Sequence, residues 1–152
     1  MDSFDGTTDY LFGHSYLEAR IRYDHPLRAI RPVVDEVIAG LLPPQPMAAR
    51  RPRSISPVRA LRAMLLHVLY SVPSDRALMG WLEHDLPSRW FVGMGTSDAA
   101  WDELAFSKQR DWLVDAGIAD RFLAALLAKP EINALLSADD SFAKIAPFRY
   151  SA

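Results

Sequence analysis

The chain contains no cysteine, which excludes disulfide staples and thiolate metal sites. That composition fits a reducing compartment, and the cytoplasm is the expected location. No apolar run reaches the roughly 18 residues that a membrane-spanning helix requires. The opening stretch "MDSFDGTTDYLFGH" begins acidic and leads into no apolar core, so no secretory signal is expected. Lysine is scarce, since fourteen of the seventeen basic residues are arginine. Coding composition can produce that bias, so by itself it does not indicate phosphate recognition.

Catalytic signatures are missing too. There is no glycine-rich phosphate loop, no paired-histidine metal motif and no nucleophile elbow. His14, His25, His67 and His84 are scattered, and His67 lies in an apolar stretch where it reads as a packed residue. Asp35–Glu36 and Asp139–Asp140 are adjacent carboxylates. Helical neighbours point about 100° apart, so these pairs do not converge on a metal and read as solvated surface. Trp81, Trp90, Trp101 and Trp112 could form a platform for stacking bases, but each sits among core-type residues and reads as a core anchor. No enzyme, cofactor, resident metal or small-molecule ligand is expected.

What is present is helical. With 152 residues, half of them hydrophobic, the chain can build one modest core. Residues 1–23 carry no clean periodicity and are expected to lie loosely on the surface. The segment "DHPLRAIRPVVDEVIAGL" offers Asp24 as a cap and Pro26 in a first turn, with apolar residues at helical spacing from Leu27 to Leu41 and Pro32 as a local weakness. In "SISPVRALRAMLLHVLYSV", Ser56 is the expected cap, Pro57 the first helical residue, and Val58, Leu61, Leu65, Val68 and Val72 the stripe. Ser74–Asp75 opens another helix that buries Leu78, Trp81 and Leu82. "LPSRWFVGMG" reads as a turn closed by Gly93 and Gly95. A short turn over "SDAAWDELAF" and a separate helix "SKQRDWLVDAG", capped by Ser107 and stopped by Gly117, come next. "IADRFLAALLA" and "PEINALLS" complete the set. No alternating run suits a strand, so the expected fold is all-α: a compact bundle of short helices with a helix-turn-helix-like core from Pro57 to Leu82. The expected organisation is an irregular 1–23, a helical domain over 24–137 and a tail over 138–152.

Charge is unevenly spread. The net value is −2, yet no acid occurs between Glu36 and Asp75, and Arg50, Arg51, Arg53, Arg59 and Arg62 all fall in that gap. Two readings are open: a solvated arginine-rich linker, or a set of guanidiniums on one side of a bundle that holds DNA phosphates while a helix enters the major groove. Five phosphate contacts would imply a slope of about −4 to −5 for log affinity against log salt. A second reading element is "FSKQRDWL", with Ser107, Lys108 and Arg110 on a first turn, diluted by Asp111 and Asp115.

The blocks "DHPLRAIRPVVDEVIAGL", "RPRSISPVRALRAMLLHVLYSVPSDRALMGWLEHDLPSRWFVGMG" and "WDELAFSKQRDWLV" closely resemble the N-terminal domain of InsH-type insertion-sequence transposases, in order and spacing, from about Asp24 to Leu127. The resemblance implies a helical domain that binds the terminal inverted repeats of its element, ahead of an RNase-H-like domain with a metal-dependent aspartate–aspartate–glutamate site. Arg51–Pro52 through Pro57 matches the family's basic entry into a helix. Ser74, Arg76, Leu78 and Met79 match its second helix, and Ser107, Lys108 and Arg110 occupy its presumed recognition segment. Where relatives carry Val-Asp-Gly-Thr with the first catalytic aspartate, this sequence reads "LLSADDSFAKIAPFRYSA". The expectation is a truncated transposase that binds double-stranded DNA without cutting it. The alternative is a helical interaction module or inactive remnant, as a homo-oligomer or a mixed oligomer with full-length transposase through the apolar faces of 118–128 and 132–136.

Overall fold

A computed structural model of the chain describes residues 16–42, 55–96 and 98–138. Among them the fold is all-α, with α1 (Pro26–Leu41), α2 (Pro57–Leu69), α3 (Asp75–His84), α4 (Leu86–Val92), α5 (Glu103–Asp115), α6 (Ile118–Leu127) and α7 (Pro130–Ala138). No helix of the described residues is long and apolar enough to cross a membrane.

Most helix starts follow from local chemistry. Ser56 and Ser74 each accept an N–H from the third residue on, Arg59 at 3.4 Å and Ala77 at 3.0 Å, satisfying donors that have no intrahelical partner. Proline opens α1 and α2, where its missing N–H costs nothing. Two expected caps are corrected. His25, not Asp24, caps α1, its Nδ1 accepting the Leu27 N–H at 3.1 Å. Asp102 caps α5 by accepting the Ala105 N–H at 3.1 Å, so the helix is continuous from Glu103 and Ser107 lies inside it. Gly93 closes α4 at φ 99°, with its own N–H and that of Met94 both donating to the Arg89 carbonyl.

α2 is the centre of the bundle. Ala60, Leu61, Ala63, Met64, Leu65, Leu66 and Leu69 are all buried, wider than a single stripe, which is the pattern of a helix enclosed on most sides. It packs on α4 and α5, while α1 packs on α4, α6 and α7. The expected pairing of α2 with α3 is not the main packing. These helices meet at their ends, through His67 and Asp75 and through Tyr70 against Trp81, whereas α3 rests on α4 and α5.

Two further expectations change. Residues 16–20 are helical, and Leu17 and Ile21 are buried in the core. Arg28 fastens that turn by donating to the carbonyls of Glu18, Ile21 and Arg22, so the stretch from 16 is not loose surface. The apolar faces of α6 and α7 are also not bare: Phe122, Leu123, Leu126 and Ile132 are buried, and both helices pack on α1.

Candidate nucleic-acid interface

The predicted contact residues divide into three groups. Arg50, Arg51 and Arg53 lie outside the described residues. The chain re-enters the described fold at Ile55, which is buried against α5 and whose carbonyl accepts from Gln109 Nε2 at 2.9 Å. Arg59 is half-buried in the first turn of α2. Arg76 is exposed on the first turn of α3, next to its cap Ser74.

Arg62 and Arg110 point into the protein, contrary to the expectation that the guanidiniums crowd one outer side. Arg62 has a side chain only 14% exposed; Nη2 donates to Asp35 Oδ1 of α1 at 2.6 Å and Nη1 to the Val92 carbonyl at 3.3 Å. Arg31 donates from Nη1 to the Trp90 carbonyl at 2.9 Å and lies 3.8 Å from Asp35. Two guanidiniums therefore sit on the last carbonyls of α4, where the helix dipole favours positive charge. The indole of Trp90 lies beneath the same pair of elements, with Arg31 at 4.7 Å and Arg28 at 5.3 Å from its ring. Asp35 is thus a partner in this network rather than idle solvated surface.

The second internal cluster is built around Asp75. Its carboxylate takes Arg110 Nη1 and, at 2.6 Å, Ser107 Oγ, both from α5, and lies 3.4 Å from Nε2 of His67 on α2. Burial holds the His67 imidazole below its ordinary value of 6.5, with Asp75 opposing that shift and Arg110 adding to it. Ser107 and Arg110 are thereby committed to joining α2, α3 and α5. Lys108 is exposed, but it shares its face with Asp111 and Asp115.

Reading the sequence alone missed Arg89. It is 4% exposed and donates to the carbonyls of Leu82, Gly95 and Asp98, pinning the loop after α4 to the end of α3. A basic residue inside an apolar run was the available signal. Trp112 corrects the reading in the other direction: it is 52% exposed, whereas Trp90 is buried and Trp81 and Trp101 are half-buried. Among the described residues no three histidine or carboxylate side chains gather in a metal-binding group.

Residues 15–112 match the family model described as Transposase domain (DUF772). That span covers well over half of the chain. The protein belongs to the DUF772 transposase-domain family. The DUF772 match contains α1 to α4 and most of α5, including both internal arginine clusters, whereas α6 and α7 lie beyond it. No curated protein and no solved structure matches the chain.

Proposed function

We propose that this DUF772 domain is the DNA-binding part of an InsH-type transposase of the aspartate–aspartate–glutamate class, holding terminal inverted repeats without itself cutting them, in the cytoplasm. The observation that carries this reading is the acid-free stretch between Glu36 and Asp75, in which Arg50, Arg51 and Arg53 stand immediately before Ile55, a residue anchored on α5. Arg59 and Arg76 extend the positive set on the first turns of α2 and α3. Arg76 is exposed on the first turn of α3, and the half-buried Arg59 stands at a helix entry where phosphate contacts are common. Backbone charge positions the domain, and base contacts would supply the choice of repeat.

Five phosphate contacts give a slope of about −4 to −5 in log affinity against log salt. The test is a fluorescence-anisotropy titration against the inverted repeats of a full-length relative, repeated over a salt series. Arg51→Ala and Arg53→Ala are each expected to flatten the slope by about 1 and to weaken all sequences alike. Equal affinity for scrambled duplex removes recognition of the ends, and no binding at low salt removes the DNA reading altogether. Incubating the protein with a labelled repeat and a divalent cation tests the remaining point; nicking of the strand would overturn binding without cleavage.

A further inference from the structure

The outer face of α5 carries two of the six large hydrophobic side chains exposed among the described residues. Leu104 is 63% exposed and Trp112 52%, with exposed Lys108 between them. Spacings of four residues align all three along one side of the helix, with the two apolar residues about 12 Å apart. The opposite side is buried through Phe106 and Leu113. This is a large aromatic and a leucine held at fixed separation on a rigid helix, which is the form of an interface anchor rather than of scattered exposed leucines.

The charges around the stripe decide what it fits. Asp111 and Asp115 are exposed beside it, and Glu103 stands at its start, so a phosphate backbone laid along this face would meet carboxylates. A surface carrying both signs with an apolar pair disposed evenly about Lys108 complements itself. We propose that α5 is a self-association surface, on which a second copy of the chain packs antiparallel across a two-fold axis near Lys108. Trp112 of each copy then covers Leu104 of the other. Each Lys108 is offset by about 4.5 Å along the axis from Asp111 of the other copy, within reach of its four-carbon stem. Asp111 is already oriented for this: Arg110 of its own helix holds Oδ1, and the side chain remains 65% exposed. Such an isologous contact forms two copies of each interaction.

One helix face is well below the roughly 800 Å² per partner of a standard stable interface, so the dimer is weak, with a dissociation constant of roughly 10 µM to 1 mM. This inference does not depend on DNA binding, and self-association is measured without DNA. Sedimentation velocity over a concentration series to about 1 mM should show reversible dimerisation of the full chain. Trp112→Ala should weaken it at least about tenfold while leaving the thermal melt unchanged, since the residue is half exposed. Lys108→Glu and Asp111→Lys should each reduce self-association, and an equimolar mixture should restore it, because each mixed pair again places opposite charges together. A wild-type chain that stays monomeric throughout, or a mixture no better than either variant alone, overturns the proposal. So does a Trp112→Ala variant that loses DNA affinity with unchanged sedimentation, which would assign the face to nucleic acid. A wild-type chain that dimerises but binds no DNA would instead remove only the reading given under Proposed function.

Discussion

Replacing Arg62 with alanine should destabilise the fold and leave the salt dependence of DNA binding where it is. In sequence Arg62 is one of five arginines in an acid-free run; in the structure it bridges α1, α2 and the end of α4. Two hydrogen bonds are at stake. The bond to Asp35 is short and charge-assisted, a type worth about 1.5–3 kcal/mol when well shielded. Asp35 is 43% exposed, so water screens the pair and the lower end of that range applies. The second bond, to Val92, is longer and adds about 0.5 kcal/mol. Loss of the packed aliphatic stem adds a similar amount. The total is about 2.5 kcal/mol, a substantial part of a typical stability of about 5–15 kcal/mol. For a chain of this size it corresponds to a drop of roughly 6–10 °C in Tm. Circular dichroism at helical wavelengths, with urea titration for the free energy, measures it. Arg62→Lys should fall between, because an ammonium keeps the charge but cannot serve both acceptors in the guanidinium's fork geometry. An Arg62→Ala protein with wild-type Tm but a salt slope flatter by about 1 would refute the reasoning and return Arg62 to the DNA surface.

Two other outcomes follow from the buried polar groups. Arg89→Leu removes the donor from three carbonyls at once and should cost about 4 kcal/mol, leaving the protein largely unfolded or insoluble at 37 °C; a melt within a few degrees of wild type would show that those carbonyls find other donors. His67 should make the fold sensitive to acid. Its folded-state pKa lies below 6.5 because burial disfavours the imidazolium, whereas the unfolded chain titrates near the ordinary value. The unfolded state therefore binds more protons below 6.5, so the contribution is present above that pH and is lost as pH falls through 6.5 towards the lower folded value. His67→Gln cannot titrate and should lose less stability over about pH 7 to 5 than wild type; parallel losses in the two proteins would dismiss the role of His67.

Much of the secondary structure was legible because it is specified within a few residues. Ser56–Pro57 and Ser74 satisfy their own helix starts, and Gly93 takes the positive φ that side chains resist. At the start of α5, Ser107 was the expected cap and Asp102 is the observed one, a choice that local chemistry did not make. The choice followed from Asp75, which gives the Ser107 hydroxyl a partner across the bundle and leaves Asp102 to start the helix. Periodicity was equally neutral about which side of α5 is inward. Leu104 with Trp112 and Phe106 with Leu113 are both helical-spaced pairs, and only contact with α2, α3 and α6 selects the second.

By itself the sequence determined the helical class, most helix boundaries, the acid-free arginine stretch and the resemblance to a transposase domain, since each is a matter of residue order over short spans. Tertiary structure alone decided which cations are spent. Arg62 meets a carboxylate 27 positions away and Arg110 one 35 positions away, and no local pattern encodes such distances. A positive charge is available to a partner only when folding has not already brought it an acid, and that is settled by the packing of helices remote from it in the chain.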